Sequence, residues 1–229
     1  MTLPMLVSVP HEGIVIPPEV RDLCLLTPEQ IREDSDEGAA EIYALQSEAA
    51  AFITTDIARA IVDLNRDESD RTADGVVKTN TSWNVPIYHQ PLSKAIVETL
   101  LEKYYRPYHR RLAELCAGVK MGLDCHTMAA FGPPTAPDSG ARRPHVCLGN
   151  AHNTCTQPLF EQLVRCFAQT FGSDNVTINT PFGGGHIVRA HAAERPWAQI
   201  ELSRAEFMPI HEKHAAVLQT LLAFCKTAL

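Results

Sequence analysis

Met121-Gly122-Leu123-Asp124-Cys125-His126-Thr127-Met128 is the stretch on which the reading of this chain turns. It follows a long helical pattern, begins as an apolar run from Val119 to Leu123, and then becomes polar. A short apolar segment placed after a helix reads as a strand buried on both faces. In an open α/β sheet, ligands bind outside the carboxyl ends of the strands, where Asp124 and His126 are expected to emerge. The same grammar occurs earlier, in Met5-Leu6-Val7-Ser8-Val9-Pro10-His11-Glu12-Gly13. Two strands that end in histidine imply one site built from two strand ends.

The 229 residues suffice for one domain, residues 1–229, with its own core. Hydrophobic residues make up 45% and charged residues 21%, the balance of a globular chain. A net charge of −7, with no Lys/Arg-rich stretch, speaks against nucleic-acid binding. The seven cysteines form no CxxC pair and their number is odd, and Met1-Thr2-Leu3-Pro4 begins no signal-peptide pattern. Reduced thiols in a cytoplasm are therefore expected rather than a disulfide framework. No apolar run approaches the length of a membrane span, so no membrane partner is expected.

From the amino end, Met5–Val9 reads as a strand stopped by Pro10. Thr27-Pro28-Glu29-Gln30 has an N-cap residue, a proline at the first helical position and an acid in the first turn. Residues 36–51 read as an alanine-rich helix, and 52–64 as one or two strands. Residues 67–86 are polar and glycine-containing, the signature of a long functional loop. Pro91-Leu92-Ser93 opens a helix to about Lys103; Pro107 is expected to interrupt it, and Tyr108 to Gly118 resumes it. Residues 131–144, rich in Pro, Gly and Ala, read as a surface loop and a candidate lid. Then come a strand at 145–150, a helix at 157–171, a strand at 176–179, a glycine loop at 181–186, a strand at 198–202 and a closing helix at 206–229. Strands alternating with helices imply a largely parallel sheet covered on both faces.

The polar groups at strand ends are His11, Asp63-Asn65-Arg66, Asp124-His126, Arg189 and Glu201. Two histidines and a carboxylate, with a fourth position left to water, make up a catalytic zinc site. A nearby unbound carboxylate can act as general base, and arginines can fork a substrate carboxylate. Blander readings exist for each. A lone strand-end histidine is more often bonded to backbone; Asp63 could cap a turn; Arg66 could pair with Asp67 or Asp70. Glu201 could pair with Arg204, and His109, His211 and His214 sit in helical patterns that suggest solvent. Gly183 to Gly185 have no Walker or GxGxxG context and read as a tight turn admitting a ligand. Cys125, between two polar residues of its strand, should face the other way.

Six motifs occur in order: Ser8-Val9-Pro10-His11-Glu12-Gly13, Asp63-Leu64-Asn65-Arg66-Asp67, Tyr104-Tyr105-Arg106-Pro107-Tyr108-His109, Leu123-Asp124-Cys125-His126-Thr127-Met128, Gly184-Gly185-His186-Ile187-Val188-Arg189 and Gln199-Ile200-Glu201-Leu202. Together they resemble the N-formylglutamate amidohydrolase (deformylase) family, which is similar in fold to zinc carboxypeptidases and the aspartoacylase group. The resemblance implies a phosphorylase/hydrolase-like, three-layer α/β/α domain around a mixed sheet, one zinc per chain, and hydrolysis of a small N-acyl group, formyl above all, from an acidic amino acid. It places the metal on His11 and His126, the general base at Glu201, and Arg66 at the scissile carbonyl or the substrate carboxylate. Arg189 becomes a second carboxylate contact, with Asn65 and His186 as further substrate-binding candidates. Two departures stand out. The acidic ligand expected three residues after the first histidine is Ile14 here, so Asp36 is its first substitute and Glu12 its second. Glu12 itself stands where the family pattern more usually has serine. The expected partner is a small N-acyl amino acid, with a homo-oligomer left open. The rival readings are another N-acyl amino acid or small peptide as substrate, and a binding protein without turnover.

Overall fold

Six strands make one sheet in the order β2-β1-β3-β6-β4-β5. They are β1 (Leu3–Val9), β2 (Ala49–Thr54), β3 (Met121–Met128), β4 (Val146–Gly149), β5 (Val176–Ile178) and β6 (Trp197–Ser203). The structure, a computed structural model, describes residues 2–229. β1 pairs in parallel with β2 and β3, and β3 with β6, so four strands end at the same edge. β4 runs antiparallel to β6 and carries β5 parallel to itself, which makes the sheet mixed.

Alternation along the central strands separates two chemistries. On one face Val7, Val9, Leu123, Cys125, Ile200 and Leu202 join an apolar cluster with helices α5 (Gln157–Phe171) and α7 (Ile210–Ala228). On the other, Leu6 and Trp197 pack with Leu101, Leu112 and Cys116 of a helical span made of α3 (Lys94–Leu100), a π turn (Leu101–Tyr105) and α4 (Arg106–Cys116). The short α6 (His186–Ala190) lies against β3 and β6 on that side. Helices thus cover both faces, in three α/β/α layers. Farther along the second face, toward the carboxyl ends, the side chains turn polar: Ser8, Asp124, His126, Gln199 and Glu201, all buried. Cys125 faces the apolar side, as its place between two polar residues implies.

Three local outcomes differ from propensity. Residues 36–51, read as a helix, form only α2 (Ala39–Ile42) before β2 begins at Ala49. Gly38, with φ 82°, turns the chain there, and the main-chain N–H of Asp36 donates to the His11 carbonyl at 3.0 Å. Pairing with β1 then draws Ala49–Ala51 into the sheet; tertiary context overrides alanine's helix preference. Pro107 does not interrupt its helix. The π turn ahead of it widens the spiral, with the Arg106 N–H donating to Leu101 O, and so absorbs the ring without a break. His126 lies within β3, which runs on to Met128, and not beyond the strand. As expected from Thr27-Pro28-Glu29-Gln30, a helix starts there, α1 (Pro28–Asp34), and a capping box between Thr27 and Gln30 closes its first turn. Among the described residues, no helix is long and apolar enough to cross a membrane.

Gly122 marks a tight contact beneath the site. A Cβ there would lie 2.3 Å from the Trp197 ring, which is fully buried. Gly122→Ala is expected to destabilise the fold by about 1–3 kcal/mol through overpacking. For a chain of this size that is a drop in Tm of roughly 2–4 °C per kcal/mol. Calorimetry on the variant checks it; an unchanged Tm would mean that the ring yields.

Candidate active site

The site is assembled where the parallel strands end. Asp124 and His126 project from one face of β3, level with Gln199 and Glu201 of β6. His11 follows β1, and the backbone bond from Asp36 to the His11 carbonyl brings the segment after α1 alongside. The turn from Asp63 to Arg66 completes the ring. Its backbone is fixed from α4 and the π turn: Tyr105 donates to Arg66 O at 2.8 Å and His109 to Leu64 O at 2.9 Å. Tyr108 bonds Ser8 at 3.0 Å.

Both histidines are held by a carboxylate at Nε2, and both turn Nδ1 toward Asp36. His11 Nε2 donates to Asp63 Oδ1 at 2.8 Å, and His126 Nε2 to Asp124 Oδ2 at 2.8 Å. The two Nδ1 atoms face Asp36 Oδ2, at 3.7 Å from His11 and 2.9 Å from His126. His11 Nδ1 is buried and has no hydrogen-bond partner among the described residues. His11, Asp36 and His126 offer ligand atoms within 4.8 Å of one another, and all three are buried. Two imidazole nitrogens with carboxylate-fixed orientation and one carboxylate suit a divalent metal in an open site. Glu12, the alternative acid, is not in this group; it is half-buried near Thr54, and burial raises its carboxyl above the ordinary value.

The electrostatics point the same way. Burial opposes charge on His126, but Asp124, Asp36 and Glu201 outweigh it and hold the imidazole well above its ordinary pKa. Burial likewise opposes the charge on Asp36, and His11 and His126 overcome it, keeping that carboxylate well below its usual range. Surroundings that favour a proton this strongly favour any cation at the same place. Glu201 differs: burial raises it to about 7 although His126 pulls it down, and its Oε1 accepts from Gln199 at 2.7 Å. A carboxyl poised there can accept and return a proton near neutrality.

A cleft of about 340 Å³ opens over these groups. It is lined by His11, Asp36, His126, Asn65, Arg66, Arg189 and Glu201 among the expected residues, and by Gly183 to Gly185 of the glycine loop. Arg66 pairs with Asp74 at 2.7 Å rather than with Asp67 or Asp70. Arg189 is exposed and gives Nη1 to Gly184 O at 2.7 Å. Asn65 lines the cleft, yet its side chain is spent internally, donating to Asp124 Oδ2 at 2.9 Å and accepting from Ile187 N at 2.8 Å. Gly185 has no room for a Cβ because Asn65 lies 2.2 Å from where one would sit. His186 is the expected residue that does not line the cleft. Its ring turns toward His109, centroids 5.4 Å apart, and Asp67, at 3.8 Å. Arg204 donates to the carbonyls of Glu33 and Ser35 and leaves Glu201 alone. His109 is not in solvent either: it is half-buried, with His191 at 3.0 Å, and burial lowers it to about 4. His214 is half-buried, its Nδ1 donating to Ile42 O at 3.1 Å, while His211 is exposed.

Sequence reasoning missed the groups that act through others. Arg59 bridges Asp36 Oδ1 and Asp63 Oδ2, each at 3.2 Å. Its signal was a charge inside the apolar run Ile57-Ala58-Arg59-Ala60-Ile61-Val62. Gln199 stands two residues before Glu201 and hence on its face. Lys78, Asp74 and Asp34 carried no signal in a polar loop and a helix end. The loop read as a candidate lid lines the cleft with Pro133, Thr135, Ala136 and Arg143. Arg143 is buried, forks Asp138 at 2.7 and 2.8 Å, and lies 4.8 Å from the centroid of the Phe182 ring.

The chain is similar to several known proteins. The family model described as N-formylglutamate amidohydrolase matches residues 3–208. The N-formylglutamate deformylase of Pseudomonas putida is 27% identical over 224 residues, covering 90% of this chain and 82% of that one. The crystal structure of N-formylglutamate amidohydrolase from Ralstonia eutropha JMP134 superposes with a TM-score of 0.80 at 20% identity, covering 99% of this chain and 94% of that one. A gene product of Agrobacterium tumefaciens superposes with a TM-score of 0.75 at 19% identity, over 98% and 88% of the two chains.

If the triad holds an ion, its carboxylate supports matter nearly as much as the ligands. Asp124→Asn is expected to weaken metal affinity about 10–100-fold, and His126→Ala to abolish stoichiometric binding. Elemental analysis after dialysis against graded zinc reads both; full occupancy in His126→Ala would remove that residue from the ligand set.

Proposed function

The chain belongs to the N-formylglutamate amidohydrolase family, and from that premise we propose that it is a zinc-dependent hydrolase removing a formyl group from an N-acylated acidic amino acid such as N-formyl-glutamate. The observation that carries the metal is the buried Nδ1 of His11, without a hydrogen-bond partner among the described residues and facing Asp36 and His126. His11, Asp36 and His126 would hold one zinc per chain, which when bound supplies Lewis acidity to the water and the acyl oxygen.

The remaining work falls to the chain's own side chains. Glu201 accepts the proton from the attacking water and returns it to the departing amine, for which a pKa of about 7 suits both directions. Gln199 holds one Glu201 oxygen and leaves the other for that traffic. Arg66 takes a carboxylate that the substrate keeps throughout the reaction, and exposed Arg189 meets a second one at the rim. The glycine loop lets main chain approach the bound amino acid where side chains would block it. The Asp138–Arg143 fork stiffens the opposite wall, which fits a cleft sized for a single blocked amino acid.

Glu201→Gln keeps shape and hydrogen bonding but cannot take a proton. The variant should bind metal normally and lose roughly 10²–10⁴-fold in kcat, the usual share of acid–base catalysis. Near-normal turnover would refute the role, and loss of metal would make Glu201 a ligand. On the wild type, N-formyl-glutamate should exceed an N-formyl amino acid amide that lacks only the α-carboxylate by roughly 10–100-fold in kcat/KM, for one lost charge-assisted contact. Equal rates would sink the substrate reading.

A further inference from the structure

Lys78, in the long loop before α3, has no exposed surface and does not line the cleft. Its Nζ lies 2.8 Å from Asp74 Oδ1, 3.4 Å from Asp34 Oδ2 and 3.8 Å from Asp63 Oδ2. A buried ammonium is expensive, and an apolar side chain of the same length would often serve stability as well or better. A role beyond packing is therefore worth seeking, and Asp74 shows where it lies. The main-chain O of Asp74 accepts from Arg66 Nε at 2.8 Å, and its Oδ2 from Arg66 Nη2 at 2.7 Å. The Nε–Nη2 edge of the guanidinium is thus fully engaged. Nη1 has no acceptor among the described residues, so the Nη1–Nη2 end remains for a ligand, and Arg66 lines the cleft. The Arg66 backbone is fixed separately by Tyr105.

We propose that Lys78 is a positioning residue for substrate recognition: by clamping Asp74 it sets the angle at which Arg66 offers its Nη1–Nη2 end to the substrate carboxylate. The proposal rests on the reading of Arg66 given above. It is the counterpart, on the recognition side, of Arg59, which anchors Asp63 behind His11. A guanidinium fixed in advance loses less rotamer freedom on binding, so a two-pronged contact keeps more of its strength. Lys78 also neutralises Asp34, whose Oδ1 accepts from Ser82 N at 2.7 Å, and this ties the loop to the end of α1. A merely structural Lys78 would do that and nothing for Arg66.

The two roles differ in what the enzyme loses. Lys78→Met keeps length and burial but removes the charge. In the zinc-loaded protein it should leave metal content unchanged and kcat within about threefold, while KM for N-formyl-L-glutamate rises about tenfold or more, the scale of one charge-assisted contact. The affinity for L-glutamate, measured by calorimetry without turnover, should weaken by the same factor. Asp74→Asn, in a half-exposed side chain, cuts the link between Lys78 and Arg66 without burying anything new, and should show the same shift even if Lys78→Met fails to fold. The double variant should be no worse than either single one. Unchanged KM and glutamate affinity in Asp74→Asn, a Lys78→Met that loses only Tm or metal, or fully additive effects would each overturn the proposal. A wild type inactive on N-formyl-glutamate would count against the functional reading instead, and would be seen before any variant is made.

Discussion

Asp124 and Glu201 of the parallel strands and Asp36 and Asp63 of the loops beside them are all buried, and the rest of the site answers to that negative charge. A buried carboxylate without compensation is costly enough that it takes up a proton or attracts a cation. Three of the four are compensated from within. Asp63 receives His11, Arg59 and the Asn65 N–H; Asp124 receives His126 and Asn65; Asp36 receives Arg59, His126 and the Thr127 N–H. Among the described residues Glu201 receives only the Gln199 amide, and burial lifts it to about 7. The carboxylate left least satisfied is the one suited to proton transfer. The well-satisfied ones hold geometry.

The apolar side of the sheet makes this affordable. Val7, Val9, Leu123, Ile200 and Leu202 lie fully buried against α5 and α7, and each such side chain contributes about 1.5–3 kcal/mol. Polar side chains can therefore occupy the opposite face of the same strands without leaving them unanchored. On that opposite face Trp197 packs below the polar groups, and Gly122 leaves it room.

Alternation and strand-end position made the fold and the reacting groups legible. His11, Asp124, His126 and Glu201 announce themselves as polar residues closing apolar runs, and Cys125 is placed on the far face by parity alone. What stayed hidden depends on contacts far apart in sequence. The helix read at 36–51 fails because Asp36 is claimed by His11 and the following alanines by β1, neither of which local preference registers. Arg59 and Lys78 look like ordinary charges until Asp36, Asp63 and Asp74 are brought to them. His109 sits in a helical pattern that suggests solvent, and only the packing of α4 over the Asp63–Arg66 turn puts it indoors.

The same construction recurs at three points of the cleft. Asp63 stands behind His11, Asp124 behind His126 and Asp74 behind Arg66. In each case a carboxylate fixes the outer nitrogens of a group whose inner nitrogens face the cavity, and in each case a third group anchors the carboxylate: Arg59, Asn65 and Lys78 respectively. Carboxylates do this well because they accept several bonds at once and strengthen those from charged donors. The arrangement also accounts for the long loop before α3. Arg66, Asp74 and Lys78 must converge on one point from within a single polar segment, and a shorter connection between β2 and α3 would not let the chain double back to bring them together. Metal ligands and the substrate-facing arginine then share one scaffold, since Asp63 and Asp74 both lie against Lys78. Asp63 is held by Arg59 and His11 as well, so the metal side of that scaffold stays anchored without the Lys78 charge, while Asp74 and the guanidinium it fixes lean on Lys78.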